Sequence, residues 1–301
     1  MMKDFLPTAK TFTKGTLLAC LFLFFSVAVF SATKTWNGGI GAGKSWNVAG
    51  NWSPSGIPAS GDDIVFNTNG GTITFSTMPT AIFTYGSLYI SNGAVVIFAG
   101  SSACNLTVGG GAPDPDLSVG SGTSLTLSTN VSITMANNAN GNISGDLIVS
   151  TGSSFTTNGT GVSVYVFGAL NNQGSVTGGA STLNFGSGGA YVHNQNGGTI
   201  PTANWDAASY CSITGVTNSH PSGINQTFGD LSYNCTFSAD VTMPAGATVT
   251  RDFTVFNTGS NRLLLTAGSL NVGRNLEVDA NVTIANTVNR TLAVTGDVFV
   301  S

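Results

Sequence analysis

Charge is the scarcest property of this 301-residue chain: Asp, Glu, Lys and Arg together make up 7% of it. No Lys or Arg lies between Lys44 and Arg251, a stretch that holds the acids Asp62, Asp63, Asp114, Asp116, Asp146, Asp206, Asp230 and Asp240. A surface of that kind cannot neutralise a row of phosphates, which excludes nucleic-acid binding and docking on anionic membranes. It also lacks the cations that hold acidic polysaccharides. Glutamate occurs once, as Glu277, and helix formers are correspondingly few. Histidine occurs twice, as His193 and His220, neither with a Ser or Cys in a recognisable nucleophile motif. Low charge would suit a disordered chain, but 41% of the residues are hydrophobic and they are spread in short alternating runs, so disorder is excluded.

The N-terminus is basic, then apolar. Lys3, Lys10 and Lys14 precede an apolar-rich run from Thr16 to Phe30 that ends in Ser31 and Ala32. The run falls short of the roughly 20 residues that cross a bilayer, so residues 1–31 read as a signal peptide, with no membrane insertion after its removal. An alternative is lipidation at Cys20 after Leu17-Leu18-Ala19, but the apolar residues that follow Cys20 argue against it. The expected localisation is secreted or cell-surface. Beyond the leader stand Cys104, Cys211 and Cys235, an odd count for an oxidising compartment. Cys211 and Cys235 are 24 residues apart and form a disulfide candidate; buried thiols acting as small apolar residues are the alternative.

What is abundant is Gly, with 40 residues, and a repeated phrase of two aliphatics flanking one residue that is mostly polar: Leu88-Tyr-Ile90, Leu106-Thr-Val108, Leu125-Thr-Leu127, Leu147-Ile-Val149, Leu270-Asn-Val272, Leu292-Ala-Val294. Alternation marks a strand with one buried face. Taking Leu88, Leu106, Leu125, Leu147, Leu170, Val192, Ile213, Leu231, Val249, Leu270 and Leu292 as equivalent gives intervals of 18 to 23 residues. That is the length of a coil of three short strands with turns. Sandwiches in series are the competitor, but the uniform texture shows no boundary between them. The fold class expected is all-β, a right-handed parallel β-helix (β-solenoid) with an N-terminal Trp-rich cap, rising roughly 50 Å. Residues 32–85 form the cap and first coils; residues 86–301 form the solenoid repeats, incomplete at the C-terminus.

The cap is assigned from Thr35-Trp-Asn-Gly38, Lys44-Ser-Trp-Asn47, Asn51-Trp-Ser-Pro54 and Gly61-Asp-Asp-Ile-Val-Phe66. A bulky, Pro-interrupted start covers the open end of a first coil. The other use of such Trp residues is as sugar-stacking faces, which makes Trp36, Trp46, Trp52 and Trp205 the carbohydrate candidates. This succession resembles the start of exported bacterial passenger and adhesin-like proteins with autotransporter-type β-strand repeats. A second stretch, with Tyr191-Val-His-Asn194, Gly197-Gly-Thr-Ile-Pro201, Asn204-Trp-Asp206, Cys211-Ser-Ile-Thr-Gly215 and Asn225 to Cys235, resembles a module of large secreted Bacteroidota proteins. The resemblance implies surface or extracellular placement and a C-terminal sorting domain for a type IX-like route; the chain departs from it by stopping at Gly296-Asp-Val-Phe-Val-Ser301.

A lyase needs a cationic base and a carboxylate-neutralising site, which the central stretch lacks. A hydrolase needs two carboxylates facing one another. The close pairs are Asp62 with Asp63, neighbours on one strand and so pointing apart, and Asp114 with Asp116 in the turn-like Ala112-Pro-Asp-Pro-Asp116. No zinc-type ligand spacing is present, and Gly109-Gly-Gly111 lacks the Lys of a phosphate loop. No cofactor is expected; Asp114 and Asp116 are weak calcium candidates. The function expected is a non-catalytic structural or adhesive solenoid whose partners are extracellular glycans or other surface proteins. The alternatives are a carbohydrate-binding module and a β-helix polysaccharide-degrading enzyme.

Overall fold

The computed structural model describes residues 31–80, 82–110, 114–265, 269–279, 284–285 and 291–300. The signal peptide and Cys20 fall outside the described residues, apart from Ser31, as do Gly111 to Pro113 of the Gly-rich and Pro-rich stretch. Ser31–Ser301 is one compact unit.

The chain forms a parallel β-solenoid of about ten coils. One coil runs through strands Ser87–Ile90, Val95–Ala99 and Cys104–Val108; the next repeats the path with Leu117–Val119, Ser124–Ser128 and Val131–Met135. Each strand pairs in parallel with its counterpart in the next coil, so three faces rise side by side. Among the described residues the second face is one continuous 12-stranded sheet from Gly41–Ser45 to Val298–Val300. At strand spacing this is about 50 Å of rise. The first face is a 9-stranded sheet as far as Asn204–Trp205, and a 4-stranded sheet beginning at Thr227–Phe228 follows it in the coil order. The third face is a 5-stranded sheet ending at Ser175–Thr177 and then a 3-stranded one starting at Val241–Met243.

Between those two sheets the third strand is replaced by loops, from Asn194 to Ala203 and from Thr214 to Gln226. Here the ladder thins to a parallel bridge between Thr199 and Ser222 with a few backbone bonds beside it, and side chains reinforce it. Asn196 Oδ1 accepts the backbone N–H groups of Thr217, Asn218 and Ser219 at 2.9–3.0 Å, and Thr199 and Ser222 share a hydroxyl–hydroxyl bond of 2.8 Å. The stretch from Tyr191 to Cys235 is therefore part of the solenoid whose third face is interrupted.

The core is a set of columns. On the 12-stranded face the register stacks Ile73, Val96, Leu125, Leu147, Leu170, Tyr191, Cys211, Leu231, Phe253 and Leu276, all buried, with exposed Val298 next in line. The repeat is thus real but longer and less even than the sequence series, running from 20 residues between Cys211 and Leu231 to 29 between Val96 and Leu125. That series mixed faces: Leu88 lies on the first, Leu106 on the third, Leu125 to Leu231 on the second, and Val249, Leu270 and Leu292 on the 4-stranded sheet. Val192 even points outward, between buried Tyr191 and His193. The aliphatic-polar-aliphatic phrase arises on every face, because every strand buries alternate residues, and so it carries no label of which face it belongs to.

Trp36, Trp46 and Trp52 pack with Phe66, Phe75, Tyr85 and Phe98 at ring-centroid distances of 4.8–6.2 Å, closing the first coils with aromatic volume. Trp52 Nε1 donates to Trp46 O at 2.9 Å, and Trp36 Nε1 to Gly39 O at 3.0 Å. Strand Trp52–Ser53 runs antiparallel to Thr33–Trp36 and covers the edge of the 9-stranded sheet. An antiparallel segment over an end strand blunts the backbone edge, and these contacts make the N-terminal segment a cap.

Candidate functional site

The acids are the first groups to test for chemistry, and most of them tie one coil to its neighbour. Asp62 accepts Ala32 N–H and Ala59 N–H at 3.0 and 2.8 Å, and Asp63 accepts Ser87 Oγ–H at 2.8 Å from the next coil. Both Asp62 and Asp63 are buried, at 5% and 6% exposure. Asp116, also buried, accepts Gly110 N–H at one oxygen and Asn140 N–H at the other, at 2.9 and 2.8 Å. Asp114 is exposed and accepts the Asn140 amide at 3.0 Å. In the later coils Arg251 meets Asp230 at 3.5 Å, while Arg262 chelates Asp240 and Arg274 chelates Asp252, each across one coil. These guanidinium groups hold the carboxyls of Asp240 and Asp252 below the ordinary carboxylate range. The calcium candidates thus differ: both Asp116 oxygens are engaged by backbone N–H groups, while Asp114 keeps a face to solvent. Among the described residues no group of three or more His, Cys, Asp or Glu converges on one point.

The two histidines are built into the interrupted stretch. His193 is buried; its Nε2 lies 2.7 Å from Gly197 O and must carry the proton, so Nδ1 accepts from Tyr191 Oη at 3.2 Å. Tyr191 Oη in turn accepts the buried Asn172 amide at 2.9 Å. His220 Nδ1 donates to Pro221 O at 2.7 Å and Nε2 accepts from Tyr233 Oη at 2.6 Å. Burial lowers His220 to about 4, with the Pro221 carbonyl opposing and nearby His193 adding to the shift; burial likewise lowers His193, against the Gly197 carbonyl. Both rings are therefore neutral hydrogen-bond bridges.

Cys211 and Cys235 are free and buried, as is Cys104. Cys211 is in register with Leu231, so Cys235 lies some four residues further along the chain, on the order of 10 Å away and beyond disulfide reach. The disulfide candidate is thus replaced by the thiol alternative: Cys235 Sγ–H donates to Ile213 O at 3.2 Å, and burial pushes the Cys235 and Cys104 thiols up to about 11 and 12.

The carbohydrate candidates are also placed by register. Trp36, Trp46 and Trp52 are 4%, 1% and 2% exposed, which leaves no ring face for a sugar. Trp205 sits in the inward column Ile143, Val166, Phe185, Trp205, stacked on Phe185 at 4.3 Å with its Nε1 donating to Gln226. No family model, curated protein or solved structure matches this chain.

The aromatics that do face outward are others. Tyr165 and Phe167 are each 46% exposed, with rings parallel to within 9° and 6.1 Å apart. Phe167 lies over Gly186 of the next coil, where any side chain would meet the ring at 2.4 Å. Tyr165 borders a hollow of about 340 Å³ with Asp114, Asn140, Asn142 and Ser163. A second hollow of about 250 Å³ lies on the same 9-stranded face, lined by Thr33, Asp63, Val65, Tyr89 and Ser91. Tyr165 belongs to no motif of the kind that marks the four Trp residues. The signal was present in Ser163-Val-Tyr-Val166, where the aromatic occupies the outward phase between two buried Val.

Proposed function

We propose that this chain is a non-catalytic structural or adhesive element, a rod that spaces, displays or adheres at the surface of the exporting cell. The observation that carries the reading is the commitment of Asp62, Asp63, Asp116, His193 and His220 to bonds that hold the coils and their loops together. A general acid or base needs a titratable group free to meet substrate, and groups bound on both sides are poor candidates for that work. Export is supported by the leader pattern of Lys3, Lys10, Lys14 and the Thr16 to Phe30 run, and a type IX-like Bacteroidota context by the motif resemblance. The test is incubation of the purified protein with neutral and acidic polysaccharides, with reducing ends and viscosity followed over a day. The expected result is no release of ends and no thinning. Turnover abolished by Asp114→Asn, with the melting temperature unchanged, would overturn the reading.

A further inference from the structure

The 9-stranded face carries an outward column in register, Val65, Tyr89, Ser118, Asn142 and Tyr165, which continues through Asn184, itself buried, to exposed Asn204. Its inward neighbours on either side are core residues such as Leu88, Ile90, Val164 and Val166, so the pleat itself turns this row to the outside. Tyr89 and Tyr165 are separated by three coils, about 14 Å along the axis. Between them stand the polar side chains of Ser118 and Asn142, and Asp114 overhangs the row from its turn. Asp63 shares the hollow beside Tyr89, and the charges of Asp63, Asp114 and Asp116 add to burial in raising the Tyr89 phenol.

We infer that this row is a binding strip for a neutral polysaccharide chain lying along the solenoid axis, with Tyr165 and Phe167 as its principal stacking platform. The ligand class follows from the chemistry. A pyranose ring offers an apolar face to an aromatic plane and a rim of hydroxyls to amides and carboxylates. Tyr165 with Phe167 supplies the plane; Asn142 and Asp114 supply donors and acceptors at its edge. Anionic ligands are disfavoured because the strip contains only acids, and among the described residues the cations are engaged elsewhere: Lys34 with Pro54 O, Lys44 with Gly38 O, and the three Arg with Asp. A polymer fits better than a single sugar, since two aromatic hollows on one face, three coils apart, can be spanned only by an extended chain. The strip rests on the non-catalytic reading in treating Asp114 as a hydroxyl partner and not as an acid catalyst.

The test is affinity electrophoresis of the purified protein in native gels containing hydroxyethylcellulose, galactomannan or starch, with polygalacturonate as the anionic arm. Retardation by at least one neutral polymer is expected, with the apparent Kd raised tenfold or more in Tyr165→Ala/Phe167→Ala and less in Asn142→Ala. Tyr210→Ala, an equally exposed tyrosine on the 12-stranded face, should be retarded like the wild type. All these side chains are exposed, and unchanged circular dichroism and melting confirm that each variant is folded. The strip is overturned by absence of retardation in every neutral gel, by retardation in polygalacturonate alone, or by binding that Tyr165→Ala/Phe167→Ala leaves intact. Release of reducing ends from a retained polymer would instead sink the non-catalytic reading while leaving the strip in place.

Discussion

Two kinds of residue show how position outranks residue type. Trp52 has the chemistry of a sugar platform, yet it lies within 5.2 Å of Trp36 and 4.8 Å of Trp46 in ring-centroid distance and is buried. Trp52→Ala should therefore cost about 3–5 kcal/mol of stability, as removal of a buried aromatic does, and leave polysaccharide retention unchanged in the fraction that stays folded. Urea unfolding of wild type and variant measures it. The histidines give the second case. Unfolded His220 takes up its proton near 6.5, whereas the folded ring resists until about 4, so the unfolded state binds more protons in between. Stability should be intact above pH 6.5 and fall as pH drops from 6.5 to 4, by on the order of 3 kcal/mol for His220. His193 acts in the same direction. The Arg-held carboxylates of Asp240 and Asp252 lose their contribution only below their ordinary value of 3.8, a separate window. Urea midpoints at pH 7.5, 5.5 and 4 for wild type and His220→Gln test this, with a shallower fall expected in the variant.

At the scale of strands and corners, the alternation of apolar and polar residues was fully legible, and with it the class of fold. Leu147 and Val149 are buried and Ile148 is half-exposed, as the phrase implies. The corners were legible as glycine-rich but not as to why. Gly168 precedes strand Ala169–Asn172, and a Cβ there would stand 2.1 Å from the carbonyl oxygen of Gly145 one coil back. The constraint is close backbone approach between coils, visible only once they are stacked. Gly168→Ala is expected to destabilise by about 1–3 kcal/mol, the cost of overpacking against rigid backbone. Gly152→Ala, where a Cβ meets nothing within 4 Å, bears only the strain of its φ of +79°. Comparing the two by thermal melts separates crowding from torsion; equal losses would sink the distinction.

Across the whole molecule, each coil touches chiefly its neighbours, so stability is a sum of coil and interface terms. The aromatic block of Trp36, Trp46, Trp52, Phe66 and Phe75 lies in the first coils and the interrupted third face in the middle, so the coils before and after the interruption are joined by fewer strand pairs than those within each part. Phe253→Ala, in the coils beyond the interruption, should shift the early part of a circular-dichroism melt and leave the tryptophan fluorescence transition nearly in place. Trp fluorescence reports mainly the capped end, where three of the four Trp residues stand. Coincident, equal shifts of both probes would show instead that the solenoid unfolds as a single unit.

The primary structure alone determined that the chain is a stack of half-buried strands closed by tight turns, because period-two alternation and turn residues act over a few neighbouring positions. It also determined that cations are missing from the middle of the rod, which is a matter of composition. Only the tertiary structure decided which face each strand joins and which side chains meet across coils, since turn lengths vary from coil to coil and each one resets the register. That is why Cys211 stacks on Leu231 and not on Cys235, why the cap Trp residues face inward, and why Tyr165 faces out over Asn142.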